Sequence, residues 1–373
     1  MKIAQVAPLY ESIPPKLYGG TERIVHYLTE ELVGAGHDVT LFASADSETS
    51  AKLEPIVSKA LRLDQDVLDP LLPHLLMLDR VRRAASEFDV IHFHTGCLHF
   101  PVFRECSTPH VTTLHGRLDI RELDALLEAF RDMPLISISD YQRTPVGWGN
   151  WVATVYHGLP EELYTFRAEP GTYLAFLGRI SPEKRVDRAI EIAIRAGMPL
   201  KIAAKVDKAD REYFDQEIKT LLNHPLVEFI GEVNEREKNE LLGNAYALLF
   251  PIDWPEPFGL VMIEAMACGT PVIAFRNGSV PEVMRHGTTG FVVENLHQAV
   301  SAVERVGEIN RAMCRQAFEN RFSARRMASD YIQIYRQLGE KCKQKVSPAL
   351  KVLGMDVIEK DLGRLSMLGK QTI

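Results

Sequence analysis

A chain of 373 residues exceeds the size of one ordinary domain, so we expect two domains that each bury a core. Hydrophobic residues make up 46% and charged residues 25% of the sequence, values that exclude a chain disordered along its whole length. The net charge is −7 and neither half is strongly basic, which argues against a nucleic-acid-binding protein. The five cysteines are widely spaced and form no C-x-x-C pair, which argues against a disulfide framework.

The first half of the chain alternates short apolar, β-branched runs with helical patterns. The first strand is predicted within a few residues of Met1, so we expect no signal peptide, and no run of about 18 apolar residues predicts a membrane-spanning helix. We therefore expect a cytoplasmic protein. The amphipathic pattern of residues 22–35 predicts a helix that ends at Gly36. The predicted strands of this half are residues 3–6, 39–43, 90–93, 111–114 and 135–139.

The same order of elements starts again after a polar stretch at residues 161–171, which contains proline and glycine. Strands separated by helices predict mostly parallel sheets, so we expect an α/β fold with two doubly wound halves. Ligands bind such sheets at the carboxyl ends of the strands, and two facing halves would enclose a cleft. The predicted strands are residues 173–177, 200–204, 227–230, 247–250, 271–274 and 290–293, and the predicted helices are residues 186–196, 208–222, 235–245, 260–267 and 324–342.

Two loops that follow predicted strands have the composition of anion-binding segments. Gly19 and Gly20 open the first long helix, where paired glycines let a ligand approach the backbone and the helix N-terminus favours an anion. Arg179 and Lys184 lie on the loop after the strand at 173–177, and two cations at this place suit a diphosphate. From the residues alone, a plain tight turn and a solvated basic turn explain these two segments equally well.

The segment from Glu256 to Glu264 is the most informative part of the sequence. Pro257 fits the first turn of a helix, so the N–H groups of the residues after it would face the cleft. Glu264 lies in an otherwise apolar helical segment, although carboxylates are rarely buried without partners. Sugar or ribose hydroxyls would supply the hydrogen-bond donors that Glu264 needs, and a salt bridge to a buried arginine is the alternative.

Several motifs in combination resemble the family 4 retaining glycosyltransferases of the GT-B fold, and they follow the order of that family across about residues 1–340. The motifs are the Gly19-Gly20 loop, Gly178-Arg179-x4-Lys184, Glu256-x7-Glu264, the segment from Gly278 to Val283, and Gly287-x-x-Gly290. The resemblance implies two Rossmann-like domains that face each other across a cleft, with acceptor residues 1–165 and donor residues 170–323. It also implies that a helix at 324–342 crosses back to the first domain, before a basic tail at 343–373.

The same resemblance implies a binding site for a nucleotide diphosphate sugar, which we expect to be a UDP- or GDP-sugar, with no metal and no cofactor. Arg179 and Lys184 would hold the diphosphate, and Glu264 would bind the ribose hydroxyls. His115 matches the active-site histidine of the family, beside the transferred sugar. The implied catalytic residues are His115, Arg179, Lys184 and Glu256, and the further implied donor contacts are Gly19, Gly20, Val233, Phe258, Gly259, Leu260 and Glu264.

The chain departs from the family pattern at residues 156–160, where Tyr-His-Gly-Leu-Pro replaces the Asn-Gly-Val-Asp of many members. Contacts from this interdomain segment are therefore left open. Acceptor residues vary within the family, and Asp119 and Arg143 are the candidates that we expect in the cleft. The first 168 residues hold 15 Lys and Arg against 23 Asp and Glu, and we expect this acidic half to face the acceptor.

Two patterns resemble metal sites. Residues 64–66 have the D-x-D form that holds a divalent metal in other glycosyltransferases, but they lie in a leucine-rich helical stretch and are interpreted as a solvated helix face. A second pattern contains four potential zinc ligands within eight residues, namely His92, His94, Cys97 and His99. Its last two members lie beyond the end of the strand, so we interpret the histidines as strand-end groups that line the cleft.

Residues 68–83 are apolar with a basic end. We expect a buried helix here, because two prolines weaken an amphipathic surface helix. Contact with a membrane that carries a lipid-linked acceptor is the alternative, and it would place the protein peripherally at the inner membrane face.

We hypothesise that the protein transfers a hexose with retention to a hydroxyl of a saccharide, a lipid-linked glycan or a small molecule. No second carboxylate pairs convincingly with Glu256 in the way that retaining glycosidases require, which favours attack on the same face, with the leaving phosphate accepting the proton. His115 would orient the sugar. The alternatives are a GT-B enzyme that cleaves or epimerises nucleotide-sugars, and a non-catalytic protein that binds them.

Overall fold

Two parallel β-sheets, one in each half of the chain, form the framework of the protein. The structure is a computed structural model that describes residues 1–16 and 19–352, with residues 343–352 described by their backbone alone. The strands of the first sheet are β1 (Lys2–Val6), β2 (Asp38–Ser44), β3 (Lys52–Val57), β4 (Val90–Phe93), β5 (His110–Thr113), β6 (Leu135–Ser137) and β7 (Trp151–Thr154). They pair in the order β3-β2-β1-β4-β5-β6-β7, and all pairs are parallel.

The second sheet repeats this topology with one strand fewer. Its strands are β8 (Leu174–Arg179), β9 (Leu200–Lys205), β10 (Val227–Gly231), β11 (Ala247–Phe250), β12 (Val272–Phe275) and β13 (Gly290–Val293). The order is β10-β9-β8-β11-β12-β13, again with parallel pairs throughout. The strand order reverses between β1 and β4 in the first sheet and between β8 and β11 in the second, and such switch points open a crevice at the carboxyl ends of the strands.

Helices connect the strands of both sheets. They are α1 (Gly20–Gly34), α2 (Leu71–Ala84), α3 (Phe100–Phe103), α4 (Arg121–Ala129), α5 (Val186–Ala196), α6 (Arg211–Tyr213), α7 (Glu235–Gly243), α8 (Leu260–Ala267), α9 (Val280–Val283), α10 (Leu296–Arg305), α11 (Arg311–Arg321) and α12 (Ala324–Val352). The strands and helices together confirm the predicted α/β fold class with two doubly wound halves.

The C-terminal helix α12 crosses from the second half of the chain back to the first. It packs against α1 and β4, and its Tyr335 hydroxyl accepts a hydrogen bond from Gln5 at 3.1 Å and lies 2.7 Å from His92 Nδ1. The helix extends ten residues past its predicted end at Cys342, into the segment that was predicted as a basic tail. Residues 353–373 of that tail lie outside the described residues.

Two edge strands were missed by the sequence analysis. Strand β3 contains Pro55 and charged residues, and it pairs only with β2, so a proline that cannot donate a hydrogen bond is tolerated at this edge. Strand β7 is only half-buried and pairs only with β6. Strand β3 lacks the continuous apolar run by which the central strands were predicted, whereas the run Trp-Val-Ala in β7 was an available signal.

The predicted helix at residues 208–222 was wrong as a single element. It consists of two 3₁₀ turns, Lys208–Asp210 and Leu221–Asn223, on either side of α6 and a π-helical turn at Phe214–Ile218. Lys219 N donates to Phe214 O at 2.9 Å, a bond across five residues that marks the wider π turn.

The expectation of a buried helix at residues 68–83 was also wrong. Helix α2 buries His74, Met77, Leu78 and Val81 but leaves a second apolar face exposed. The exposed leucines of this region are Leu68, Leu71, Leu72, Leu75 and Leu76. In the described part of the chain, no helix combines the length and the apolar character that crossing a membrane requires.

Candidate active site

A cavity of about 520 Å³ lies between the two halves and is lined by residues from both. Every residue that the sequence analysis assigned to the donor or to catalysis lines it. These residues are Gly19, Gly20, His115, Arg179, Lys184, Val233, Glu256, Phe258, Gly259, Leu260 and Glu264. Most of them follow the carboxyl ends of strands, which is why separate loops converge here.

Arg179 is the last residue of β8, and its guanidinium lies among carboxylates. Its Nη2 donates to Glu183 Oε1 at 3.0 Å, and its Nη1 lies 3.6 Å from carboxylate oxygens of Asp207 and Asp210. Lys205 adds a second cation to this wall of the cavity, with its Nζ 2.9 Å from Asp207. Burial raises the pKa of Asp210. An anionic ligand that reached Arg179 would compete with these carboxylates for the guanidinium.

Lys184 and Glu256 form an ion pair on the wall of the cavity. The two side chains are 17% and 11% exposed, so the pair is largely shielded from water. Trp254 Nε1 donates to the same carboxylate oxygen at 3.0 Å. The ammonium of Lys184 also lies 4.8 Å from the centroid of the Trp254 ring and 5.7 Å from that of Phe250, within the range of cation–π attraction. These contacts fix the positions of both charged groups.

The N-terminus of α8 faces the cavity through Phe258, Gly259 and Leu260. Gly259 has a φ of +82°, and a Cβ added there would lie 2.7 Å from Met262 Cε, so this position requires glycine. Within the described residues, the backbone N–H groups of 258–260 have no hydrogen-bond acceptor. The N–H groups at the start of a helix, together with the helix dipole, bind anions.

The loop before α1 brings the first half of the chain close to α8. A Cβ added to Gly20 would lie 3.4 Å from Leu260 Cδ1, and one added to Gly19 would lie 2.8 Å from Pro15 Cβ. Glu22, in the first turn of α1, also lines the cavity, and burial raises the pKa of its carboxyl. Gly20 thus lies next to Leu260 of the other half, whereas Gly19 packs against Pro15 of its own loop.

The backbone of the Glu256 loop is held by Gly278 and Ser279. Ser279 N donates to Glu256 O at 2.9 Å, and Ser279 Oγ donates to Phe258 O at 2.8 Å. Gly278 has a φ of +56°, and an added Cβ would lie 2.3 Å from both the N and the O of Glu256. The Gly278–Val283 motif therefore supports the segment that carries Glu256 and the start of α8.

Glu264 is almost buried, and its partners lie on two neighbouring segments. Its Oε1 accepts from Lys238 Nζ at 2.6 Å and lies 3.1 Å from the Tyr164 hydroxyl. Lys238 also pairs with Glu235 at 2.8 Å, and Arg23 of α1 forms an ion pair with the same Glu235 across the cleft. Glu264 therefore forms the salt bridge that was the alternative interpretation, but with Lys238 and not with an arginine. This ion pair belongs to a network of charged side chains that joins the two halves.

His115 is held by a chain of buried hydrogen bonds. Gln5 Oε1, which can only accept, lies 2.8 Å from His94 Nε2, so this nitrogen of His94 carries the hydrogen. His94 Nδ1 must then accept from His115 Nε2, 2.9 Å away. Burial lowers the pKa of His115 to about 3, which keeps the ring neutral. Its Nδ1 is left as an acceptor, and it has no partner among the described residues.

The interdomain segment, which the sequence analysis left open, contacts this histidine. His157 stacks on His115 with ring centroids 5.3 Å apart and planes 15° apart, and it meets the Phe258 ring edge-on at 4.9 Å. Arg326 of α12 donates to His157 O at 3.0 Å. His157 lines the cavity, and burial lowers its pKa well below the usual value. The departure from the family pattern thus places a neutral aromatic ring beside His115.

The two predicted acceptor candidates do not line this cavity. Asp119 accepts two hydrogen bonds from Arg117, each of 2.7 Å, and Arg143 pairs with Asp140 at 3.0 Å. A second cavity, of about 580 Å³, adjoins the first at His115 and Gly116, which line both. Arg117 lines this second cavity, whereas Asp119 and Arg143 do not.

Neither of the two patterns that resemble metal sites brings its candidate ligands together among the described residues. His92 Nε2 lies 2.7 Å from Thr113 Oγ1, and His99 Nε2 lies 2.8 Å from Thr112 Oγ1, so the two side chains take different partners. Of the four candidate ligands, His94 and Cys97 line the second cavity. Residues 64–66 follow a 3₁₀ turn, so their interpretation as a helix face was wrong. Among the described residues, no group of three His, Cys, Asp or Glu side chains is placed to hold a metal ion.

Several residues that line the cavity were missed by the sequence analysis, and most of them are charged. Glu235 and Lys238 lie three residues apart at the start of α7, a spacing that puts both on one face of the helix and was available as a signal. Arg23 gives no such signal, because its partner Glu235 belongs to the other half of the chain. Among the missed residues are Glu11, Glu22, Arg23, Arg62, Lys205, Glu235, Lys238 and Trp254.

Two family models match the chain, one in each half. Residues 18–177 match Glycosyltransferase Family 4, and residues 165–321 match Glycosyl transferases group 1. The two matches together run from the loop before α1 to the end of α11 and include every residue of the cavity that was assigned to the donor.

The chain is also similar to individual known proteins. A glycogen synthase of Mycobacterium tuberculosis is 27% identical over 348 residues, which cover 78% of this chain and 81% of that protein. The solved structure of a glycosyltransferase involved in avilamycin A biosynthesis aligns with a TM-score of 0.71 at 23% identity, covering 91% of this chain and 98% of that one. Anabaena HepE in complex with UDP and glucose aligns with a TM-score of 0.70 at 18% identity, covering 90% and 100%. The two structural matches show the GT-B fold.

Proposed function

Because the chain belongs to the family 4 glycosyltransferases, we propose that it transfers a hexose from a nucleotide diphosphate sugar to a hydroxyl acceptor with retention of configuration, without a metal or a cofactor. In this proposal, residues 170–323 bind the donor and residues 1–165 face the acceptor. The observation that carries the proposal is that two cations, a free helix N-terminus and a glycine loop from the opposite half meet in one cavity.

Arg179 and Lys184 would hold the diphosphate of the donor. Both are paired with carboxylates before the donor binds, Arg179 with Glu183 and two aspartates and Lys184 with Glu256. The diphosphate would replace part of these contacts, and its charge would be neutralised further by the N–H groups at the start of α8 and by the Gly19-Gly20 loop. The nucleoside diphosphate is the leaving group, so stabilising the charge on its phosphates lowers the barrier to transfer.

The carboxylates of the cavity would recognise the hydroxyls of the donor. Glu256, with the N–H groups of Phe258 and Gly259, would bind the hydroxyls of the hexose. Glu264 would bind the ribose hydroxyls from a position that Lys238 and Tyr164 already fix. Val233, in the turn after β10, would contact the base through its backbone. Leu260 would pack beside the Gly20 loop.

Transfer would proceed on one face of the sugar. The bond between the anomeric carbon and the phosphate oxygen breaks, the acceptor oxygen bonds to the same carbon, and the acceptor proton passes to the departing phosphate oxygen. His115 is neutral, so it would orient the sugar rather than donate a proton to the phosphate. Glu256 is already engaged by Lys184 and Trp254, which supports a binding role over that of a covalent nucleophile.

The acceptor could be a saccharide, a small molecule or a lipid-linked glycan, and the last of these would bring a cytoplasmic enzyme to the inner face of a membrane. The exposed leucines of α2 support such a peripheral contact, because they are followed on the same helix by exposed Arg80, Arg82 and Arg83, which anionic lipids attract.

Thermal stabilisation by candidate donors tests the proposal. UDP-glucose is the first probe, because a structural neighbour was solved with UDP and glucose, and GDP- and ADP-sugars follow. A donor at 100 times its Kd adds about 2.7 kcal/mol to the free energy of unfolding. We expect one nucleotide-sugar to stabilise the protein and to be consumed when an acceptor is added. Epimerised donor would instead support an epimerase, stabilisation without turnover a binding protein, and no stabilisation by any nucleotide-sugar would contradict the proposal.

A further inference from the structure

The second cavity differs from the proposed donor site in its polarity. Charged side chains from both halves line the donor site, whereas among the residues described around the second cavity only Arg117 is charged. Apolar side chains form most of its wall. They belong to Leu98, Pro101, Leu114, Leu118, Leu123 and Leu126.

The polar groups of the second cavity are already engaged or neutral. His94 uses one ring nitrogen with Gln5 and the other with His115. Arg117 donates two hydrogen bonds to Asp119. Burial raises the pKa of the Cys97 thiol to about 12, so this group stays uncharged at neutral pH. A bare sugar, whose hydroxyls all need hydrogen-bond partners when they leave water, would find few of them here.

Two leucines at this cavity are partly open to solvent. Leu98 is 39% exposed and Leu126 is 37% exposed. A large apolar side chain that stays exposed beside a cavity gains free energy when an apolar ligand covers it. The cavity volume falls within the range that accommodates ligands of drug-like size.

We propose that the second cavity binds the acceptor, and that the acceptor carries its reactive hydroxyl next to an apolar alkyl or aromatic body. This inference rests on the proposed function, because the hydroxyl would reach the donor sugar where the two cavities join at His115 and Gly116. The apolar body lies against the leucines, and the hydroxyl end lies toward the donor site. An acceptor without such a body, such as a free monosaccharide, binds weakly.

A series of β-D-glucopyranosides that share one sugar and differ in the aglycone tests the inference. Binding of the methyl, octyl and phenyl glucosides to the full chain is measured by isothermal titration calorimetry, with the octyl compound below its critical micelle concentration. We expect the octyl or the phenyl glucoside to bind at least tenfold more tightly than the methyl glucoside. The tighter of the two identifies the apolar body as alkyl or aromatic. Equal affinity of all three glucosides would overturn the inference.

Two variants at equally exposed leucines distinguish binding of the glucoside in the second cavity from nonspecific binding of a detergent to the protein surface. Leu126→Glu places a charge in the cavity, and Leu221→Glu makes the same change in the second half of the chain at a leucine that is also 37% exposed. Affinity for the preferred glucoside should fall at least tenfold in the first variant and stay unchanged in the second. An equal change of affinity in the two variants would contradict the assignment of the glucoside to the second cavity.

Stabilisation of the wild-type protein by UDP-, GDP- and ADP-sugars is measured in parallel, so that the two proposals can fail separately. In one outcome, the apolar glucoside binds in a way that depends on Leu126, but no nucleotide-sugar stabilises the protein. This result would overturn the proposed function, and the second cavity would still be a binding site for apolar ligands. Stabilisation by a nucleotide-sugar together with equal binding of all glucosides would overturn the inference about the acceptor alone.

Discussion

The charge of Arg179 is shared among three carboxylates that a bound diphosphate would partly replace. We predict that Arg179→Ala lowers kcat/KM for the donor by about 10²–10³-fold, equivalent to about 2.7–4 kcal/mol, because the leaving phosphate loses one charged donor. The same change leaves Glu183, Asp207 and Asp210 without their common cation, which adds repulsion against the phosphate. Initial rates of nucleotide release measure the effect.

Arg195→Ala is the matched control for this prediction. Arg195 lies on α5 after the same loop, pairs with Glu191 on the surface and does not line the cavity. Its removal should leave the rate unchanged. A loss of less than about threefold in Arg179→Ala would contradict the role assigned to Arg179, since threefold corresponds to only about 0.7 kcal/mol.

The buried hydrogen bonds around His115 predict which ring nitrogen carries its hydrogen. With Gln5 Oε1 facing His94, both His94 and His115 must be protonated at Nε2, so that the buried Nδ1 of His115 carries no hydrogen. Long-range ¹⁵N–¹H correlation spectra of the histidine rings report this tautomer directly. Protonation of His115 at Nδ1 would mean that the Gln5 amide has the opposite orientation.

Individual site residues were predictable where a motif brings several unusual residues together. Glu264 was found because a carboxylate in an apolar helix needs partners, but its partner Lys238 was not, since a lysine on a polar helix is unremarkable in sequence. His157 was left open because the chain departs from the family pattern there, and only packing reveals that its ring stacks on His115.

At the scale of elements, the connection between β12 and β13 supports the Glu256 loop and can be tested through two glycines. Gly278 and Gly287 both have positive φ, +56° and +77°, so alanine at either position costs about 1–2 kcal/mol in backbone strain. A Cβ at 287 meets nothing within 4 Å, whereas one at 278 would lie 2.3 Å from the backbone of Glu256. Gly287→Ala is therefore the matched control for Gly278→Ala.

We predict that Gly278→Ala weakens donor binding by about tenfold, or 1.4 kcal/mol, because the collision displaces Glu256 and the start of α8. Gly287→Ala should lower the free energy of unfolding and leave donor affinity unchanged. Chemical denaturation and titration with the preferred nucleotide-sugar measure the two quantities. The same donor affinity in both variants would show that the connection does not support the site.

The central strands were predictable because burial on both faces leaves continuous apolar runs in the sequence. Strands β4, β11 and β13 and helices α5 and α8 have their predicted bounds. The edge strand β3 lacks such a run, because part of its surface is exposed to solvent, whereas β7 begins with the apolar run Trp-Val-Ala and was missed despite that signal. In the π turn at Phe214–Ile218, the buried Phe214 and Ile218 are four residues apart, a spacing that an α-helix also shows, so periodicity does not reveal the π turn.

At the scale of the whole molecule, buried neutral histidines make stability depend on pH. Burial lowers the pKa of His92, His94 and His99 well below the value of about 6.5 that each has in an unfolded chain. Below pH 6.5 the unfolded chain binds more protons than the folded one, so the free energy of unfolding falls as the pH falls. Above that pH both states are neutral at these groups and the contribution is absent.

His99→Phe tests this dependence at one position. His99 is fully buried and stacks on Phe93 at 3.7 Å, so phenylalanine fits the surroundings at the cost of the hydrogen bond to Thr112. Between pH 6 and pH 5, we predict that the free energy of unfolding falls by about 1.2 kcal/mol less in the variant than in the wild type. Equal slopes in urea denaturation would show that His99 titrates normally in the folded protein.

The sequence predicted that the two halves face each other across a cleft. It did not predict which residues make contact between the halves. Loops at the carboxyl ends of two doubly wound sheets had to supply any ligand site, which is why the predicted donor residues converge. The ion pair of Arg23 with Glu235 and the bond from Ser139 Oγ to Pro257 O, at 2.6 Å, depend on the relative orientation of the halves. A motif confined to one half carries no information about that orientation.

We propose that the cavity between the two halves performs retaining transfer from a nucleotide-sugar. The most direct test is time-resolved ¹H NMR of the protein with the α-linked nucleotide-sugar that stabilises it. We predict that the first sugar released in the absence of acceptor is the α-anomer, before mutarotation, and that transfer to an added acceptor gives an α-glycoside. Initial release of the β-anomer would contradict retention, and a trapped glycosyl adduct on Glu256 would contradict attack on one face of the sugar.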